Sequence, residues 1–167
     1  MVFALYATIW VALALFAAGE AGRVLRPVPR WAWWSSLAGA IICAVHIVIA
    51  MGHHHHWSHA SAIEETARQT ASVYGLAWGG GVYVNYVFVA VWLTYLWRWR
   101  TRPEFFAQNP AATWGLRAFF FVVIFNATVV FAISPMRLAG TVLSLALPLI
   151  WAYESRNTAA GSRRDAL

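Results

Sequence analysis

Long apolar runs separated by short polar stretches divide the chain into five segments. Each run has about the length that an α-helix needs to cross a hydrocarbon core of about 30 Å. The predicted spans are residues 2–19, 31–51, 74–97, 114–133 and 138–153. The pattern therefore predicts an all-α integral membrane protein built as one helical bundle. A tight turn is predicted at 134–137, and a polar, disordered tail on the cytoplasmic side at 154–167.

The polar segment between the second and third spans predicts a short amphipathic helix on the outer membrane surface. Ser61 and Glu64 have the spacing of a capping box, in which each side chain satisfies a free backbone donor of the other. Ile63 then lies on the apolar face, while Glu64 and Arg68 are four residues apart on another face and can pair. We expect about three turns of helix leading into the third span.

Composition supports the membrane class and gives an orientation. Hydrophobic residues make up 61% of the chain and charged residues 11%, against about 25% charged in a soluble domain. All twelve basic residues are arginines, and they concentrate in the first loop, the third loop and the tail. The positive-inside rule then predicts a multi-pass protein of a bacterial inner membrane, with its N-terminus outside and its C-terminus cytoplasmic. This charge indicates contacts with lipid headgroups, and no nucleic-acid partner is expected.

Five of the six histidines fall within seven residues at the outer end of the second span. Neutral imidazole is a common ligand of zinc, copper and iron. Helical spacing places His55 near His59, and His46 near a histidine seven residues further on. The predicted metal ligands are His53, His55, His56, His59 and Glu64, with Glu65 as the alternative carboxylate. The predicted cofactor is a copper, zinc or iron ion.

The segment His55–His59 reads HHxxH and resembles one histidine box of the membrane di-iron desaturases and hydroxylases. The resemblance covers five residues and implies an iron site. That family combines several such boxes, whereas this chain has six histidines and no second box. His46, the one histidine inside a span, is the candidate ligand for a haem or chlorophyll, which ranks below the metal ion.

Four further residues are predicted to hold the helices together. Gly75 and Gly79 form a GxxxG pair that lets another helix approach closely. Asn85 and Asn126 lie near the middle of their spans and are expected to bond each other or a neighbouring helix. No Asp, Glu, Lys or Arg is expected deep in a span, which disfavours a proton or ion pump.

The predicted function is that of an accessory subunit in a membrane complex that handles electrons or metals. Other membrane subunits and lipids would be its partners, and the histidine cluster would bind the cofactor. One alternative is a purely structural subunit whose histidines form a hydrated turn. Another is a channel or transporter that responds to pH through its histidines. The chain lacks a nucleotide-binding motif and a nucleophile motif, which disfavours a stand-alone enzyme.

Overall fold

α-Helices account for nearly all of the regular structure. The computed structural model describes residues 2–25, 27–132 and 136–164, and these contain helices and turns but no strand. The helices are α1 Val2–Arg23, α2 Arg30–His53, α3 His59–Tyr74, α4 Gly81–Thr101, α5 Phe105–Gln108, α6 Pro110–Phe125 and α7 Met136–Arg164, and a π-helical segment, Asn126–Val130, continues α6. The predicted all-α class is confirmed. Arg26 of the first loop, residues 133–135 around the predicted turn and residues 165–167 of the tail lie outside the described residues.

Five helices run along the bundle in alternating directions. At one end, which we call the arginine end, Glu20 of α1 lies near Tyr95 of α4 and Trp151 of α7. At the other, the histidine end, Val82 at the start of α4 packs with Met51 at the end of α2. The chain therefore passes from the histidine end in α1 and returns in α2. It repeats this in α4 and α6, and α7 makes the last pass.

Four of these five helices are long and apolar enough to cross a membrane. They are Leu5–Val24, Arg30–His53, Pro110–Val130 and Met136–Asn157. The chain is thus a membrane-type helical bundle, but five spans are not confirmed. The exception is α4, which has 21 residues and carries Asn85, Arg98 and Arg100 among its aromatic residues. These polar side chains lower its mean hydropathy relative to the other four.

The surface helix α3 begins earlier than its sequence predicts. Its N-cap is Ser58, whose hydroxyl accepts a hydrogen bond of 3.2 Å from the backbone N–H of Ser61. Ser58 therefore takes the capping role that the sequence assigned to Ser61. The predicted pair of Glu64 and Arg68 is present, with 2.7 Å between the charged atoms.

The last helix continues beyond the limit predicted for it. The sequence predicted a disordered tail from Glu154, whereas α7 remains helical to Arg164. Glu154 is 8% exposed and takes part in buried hydrogen bonds. The hydrogen bonds of this buried carboxylate hold its helical turn in place, so α7 continues past the end of the apolar run.

A layer of aromatic side chains fills the middle of the bundle. Phe16, Trp92 and Phe120 are each 2% exposed or less. The ring centres of Phe16 lie 5.0 Å from Trp92 and 5.2 Å from Phe120. The Trp92 indole donates a 2.9 Å hydrogen bond to Ser36 Oγ, so its polar atom is satisfied inside the core. This aromatic layer joins α1, α2, α4 and α6.

Helices α1 and α2 pack closely through small residues that the sequence analysis did not identify. A Cβ at Gly39 would lie 2.8 Å from the carbonyl oxygen of Ala12, and one at Gly19 would lie 2.7 Å from Ser36 Cβ. Only glycine permits this approach of two helix backbones. The close pair thus lies between the first two helices and not at the predicted Gly75.

A network of buried charged groups joins four helices at the arginine end. Glu20 accepts hydrogen bonds from the Tyr95 hydroxyl at 2.5 Å and from the Trp151 indole at 2.6 Å. Tyr95 in turn accepts a bond from Arg23, which also donates to Glu154 at 3.2 Å. These bonds connect α1, α4 and α7.

Arg117 of α6 completes this network, which we call the buried ion network. It donates to Glu154 and, at 3.1 Å, to Ser155. Glu20, Arg23, Arg117 and Glu154 are all 8% exposed or less, and each lies in or next to an apolar helix core. The sequence did not predict these buried charges, which lie within three of the candidate spans toward the arginine end. Two cations and two anions balance, so each buried charge has an opposite charge that offsets part of its desolvation cost.

Removing one carboxylate from the buried ion network is expected to destabilise the fold. Glu154→Gln leaves Arg23 and Arg117 without their shared anion, and breaking a buried pair in this way costs roughly 3–5 kcal/mol. The matched control is Glu64→Gln, which breaks an exposed pair worth about 0–1 kcal/mol. Thermal unfolding in mild detergent measures both. Equal loss in the two variants would contradict a stabilising role for the network.

Candidate ligand site at the histidine end

A cavity of about 470 Å³ opens at the histidine end of the bundle and extends to the aromatic layer. Its inner wall is apolar and includes Leu13, Cys43, Phe88 and Ile124, which are all buried. Toward the histidine end the lining also includes polar side chains, which we call the rim: His46, His54, His55, Glu65, Thr66, Gln69, Asn85 and Tyr86. We call this space the histidine-end cavity. Its size falls in the range of roughly 300–1,000 Å³ found for small-molecule pockets.

Five structural elements form the histidine-end cavity. Helices α1, α2, α4 and α6 contribute the apolar wall, because their core-facing residues leave a gap near the outer end. Helix α3 and the preceding connector cover this end and contribute most of the polar rim. The cover is anchored by Ala62 of α3, which is 1% exposed and packs with Met51 and Val82.

His46 is held in a fixed orientation on the cavity wall. Its Nδ1 lies 3.0 Å from the hydroxyl oxygen of Thr8 in α1. The Thr8 hydroxyl also donates to the carbonyl of Leu5 at 3.0 Å. Because the Thr8 hydroxyl proton is used in the bond to Leu5, Nδ1 of His46 must donate to the Thr8 oxygen. In the neutral imidazole Nε2 is then unprotonated and can accept a hydrogen bond. A histidine anchored through one nitrogen presents the other to a ligand.

His55 and Glu65 both line the cavity rim and interact electrostatically. Partial burial, followed by repulsion from His54 and His56, lowers the pKa of His55. Hydrogen bonds from Arg68 and Gln69 lower the pKa of Glu65. The rim at neutral pH therefore combines a neutral imidazole with an ionised carboxylate.

The connector before α3 contains two consecutive residues in the left-handed region. His56 has φ of 47° and Trp57 has φ of 62°. Left-handed conformations of residues with a Cβ cost roughly 1–2 kcal/mol each. The Trp57 N–H donates to the Met51 carbonyl at 2.9 Å, and a Cβ at Gly52 would lie 3.0 Å from the Trp57 ring. These contacts hold the strained turn that directs His54 and His55 to the cavity.

The predicted metal ligands are separated in the structure. His53 ends α2, and His56 is exposed in the turn. His59 is near the Tyr86 hydroxyl, with 3.2 Å from its Nε2, and Glu64 pairs with Arg68. Within the described residues, no three His, Cys, Asp or Glu side chains are arranged to hold a metal ion.

The predicted packing residues take other places. Gly75 caps α3 with φ of 72°, and a Cβ there would meet no neighbour within 4 Å, so it makes no helix contact. Gly79 lies against α3, where a Cβ would be 2.5 Å from the Ile63 carbonyl oxygen. Asn126 accepts a 2.5 Å hydrogen bond from Tyr74, while Asn85 lies on the cavity rim.

Sequence reasoning missed Thr8, Gln69 and Tyr86, which lie at or beside the cavity. Thr8 is an isolated hydroxyl in an apolar run, and its pairing with His46 spans 38 residues. Gln69 and Tyr86 belong to helices whose relative placement the sequence did not give. The one available signal was the helical spacing of Glu65 and Gln69, which places both on one face.

Comparison with known proteins found no matching family model. No curated protein and no solved structure matches the chain either.

Replacing His56 by glycine is expected to stabilise the protein. Glycine adopts the left-handed region without a steric cost, so His56→Gly should raise the free energy of unfolding by about 1 kcal/mol. His54→Gly is the matched control, because His54 has an ordinary φ of −88° and glycine only adds flexibility there. Chemical unfolding of the two variants should therefore shift in opposite directions. A loss of stability in both would argue against backbone strain at His56.

The pKa of His55 gives stability a defined pH dependence. Since this pKa lies below the ordinary value near 6.5, the unfolded chain takes up a proton before the folded chain does. Stability should be complete above about pH 7 and fall as the pH decreases through 6.5. His55→Gln should show a weaker decrease between pH 7.5 and 5.5. Identical pH profiles of unfolding temperature in the two proteins would refute this assignment.

Proposed function

We propose that the protein is a multi-pass membrane subunit that binds one small amphiphilic molecule in the histidine-end cavity. The apolar part of the molecule would occupy the inner wall, and its polar head would lie at the rim. The observation that carries this proposal is the division of one cavity into an apolar interior and a polar rim. Such a division matches a ligand with a hydrocarbon body and a hydrogen-bonding head.

The chemistry of the rim restricts the head group. His46, His55, Gln69 and Tyr86 offer hydrogen-bond donors and acceptors, while Glu65 repels anions. A neutral head with carbonyl or hydroxyl oxygens therefore fits better than a carboxylate or phosphate. An imidazole that stays neutral at pH 7 can donate to such a head without bringing a charge into the cavity.

The accessory role and the orientation form part of the same proposal. Nearly all described residues belong to helices or short connectors, which favours a protein that binds and positions a molecule beside a partner. The alternating direction of α4 supports a fifth crossing despite its polar residues. Arginines at the opposite end then support a cytoplasmic arginine end and an external histidine end.

A metal ion, haem or chlorophyll, as the sequence predicts, remains a candidate occupant of the histidine-end cavity. His46 is the best-placed ligand for such a group, since its ring is fixed through Nδ1.

The channel alternative is less well supported. The buried aromatic layer of Phe16, Trp92 and Phe120 lies between the cavity and the buried ion network, and such an apolar barrier disfavours passage of ions.

The proposal is tested by identifying what co-purifies with the protein. Untagged protein extracted in mild detergent should carry about one equivalent of an amphiphile, detected by native mass spectrometry and identified after organic extraction. An absorption spectrum and metal analysis of the same sample would reveal a pigment or an ion. Absence of any bound small molecule under these conditions would overturn the proposal.

Replacing either of two alanines by phenylalanine tests where the molecule binds. Ala127 lines the cavity and is exposed, so Ala127→Phe should fill the cavity entrance and reduce occupancy by roughly tenfold, about 1.4 kcal/mol. Ala90 is exposed on α4 and does not line the cavity, so Ala90→Phe should leave occupancy unchanged. Native mass spectra of both variants make the comparison. Full occupancy in Ala127→Phe would place the molecule elsewhere.

A further inference from the structure

A second cavity lies at the arginine end, between the start of α2 and the end of α4. Its volume is about 470 Å³. Its lining includes Pro29, Arg30, Trp33, Trp34, Trp99 and Arg100. We call it the arginine groove. It differs from the histidine-end cavity because its described lining combines two cations with three indole rings and includes no carboxylate.

Contacts within the bundle fix the aromatic wall of the arginine groove. The Trp33 indole donates a 3.1 Å hydrogen bond to the Leu96 carbonyl, which ties α2 to α4. Trp33 and Trp34 pack edge to face, with ring centres 4.8 Å apart. The Arg23 guanidinium lies 5.0 Å from the centre of the Trp99 ring. The wall is therefore a preformed surface and not a set of free side chains.

The two groove arginines point to an anionic ligand. Arg30 and Arg100 are exposed, and neither belongs to an ion pair within the described residues. Other arginines at this end, Arg23 and Arg117, are already balanced by Glu20 and Glu154. A guanidinium pair without an internal anion fits a phosphate group, which it can contact through several N–H donors.

The position of the groove points to a lipid as the source of that phosphate. Arg30 begins a 24-residue helix with the composition of a membrane span, so the groove lies where the hydrocarbon core ends. Tryptophan is enriched at this depth because its ring suits the boundary between headgroups and chains. We propose that the arginine groove binds the headgroup of an anionic phospholipid, with its phosphate between Arg30 and Arg100 and its glycerol region against the tryptophans. This inference does not depend on the occupant of the histidine-end cavity.

Lipid titration of the delipidated full-length protein tests the proposal. Native mass spectrometry would measure retention of phosphatidylglycerol and phosphatidylcholine by the wild type and by the Arg30→Gln, Arg100→Gln double variant. The wild type should retain more phosphatidylglycerol than phosphatidylcholine. In the double variant the ratio of the two retained lipids should fall by roughly tenfold, because each arginine near an anionic lipid surface strengthens binding. Equal retention of the two lipids by the wild type would overturn the proposal.

A matched control separates the groove from general charge. Arg102 and Arg156 are exposed at the same end and lie outside the groove lining, so Arg102→Gln, Arg156→Gln removes the same charge. This control should keep the preference for phosphatidylglycerol, and Arg30→Lys, Arg100→Lys should keep most of it. If the groove and control variants lost the preference for phosphatidylglycerol equally, the lipid would be attracted by the overall positive charge, and a specific site would be refuted.

A competition arm distinguishes a lipid headgroup from a free phosphate. Millimolar inorganic phosphate or glycerol phosphate should leave phosphatidylglycerol bound, because the tryptophans hold the glycerol and chain region as well. Displacement of the lipid by either soluble anion would identify a site for free phosphate and overturn the lipid assignment. Unfolding temperatures equal to wild type would confirm that all exposed-arginine variants remain folded.

Discussion

Burial of four charged side chains among apolar helices is the constraint on which the bundle depends. Glu20, Arg23, Arg117 and Glu154 come from α1, α6 and α7, and Tyr95 adds α4. None of these charges is tolerable alone in a low-dielectric interior, so the helices are stable only in the arrangement that pairs them. A nearby cavity of about 10 Å³ is at the lower limit for a single water molecule, so the protein itself must satisfy the charges. The network thereby fixes the register of four helices at one end.

The aromatic layer separates the histidine end of the bundle from the arginine end. On each of α1, α4 and α6, a layer residue lies between a cavity residue and a network residue, as Leu13, Phe16 and Glu20 do on α1. Among the described residues, the packed rings of Phe16, Phe88, Trp92 and Phe120 therefore separate the cavity from the buried ion network.

The apolar runs were sufficient to predict the all-α membrane class, because a membrane requires apolar length and that length is visible in the sequence. They did not fix every helix boundary: the third span was predicted to begin at residue 74, whereas α3 ends at Tyr74 and α4 begins at Gly81. They were insufficient for details that depend on long-range contacts. Glu154 looked like the first residue of a polar tail, yet its partners Arg23 and Arg117 lie 131 and 37 residues away. Gly75 looked like a packing residue because it forms a GxxxG pair with Gly79, yet its positive φ makes it the C-cap of α3. The histidine-end cavity was likewise invisible, since it is formed by five elements whose contacts no local pattern encodes.

The histidine stretch is better explained as a cavity rim than as a cluster acting together. Four consecutive side chains cannot face one point, and the strained turn at His56 and Trp57 divides them. His54 and His55 line the cavity, whereas His53 and His56 are exposed outside its lining. Glycine would adopt these two left-handed conformations at lower free energy, so the backbone stores strain at this turn. The structural result of the turn is that His54 and His55 line the cavity while His56 lies outside its lining.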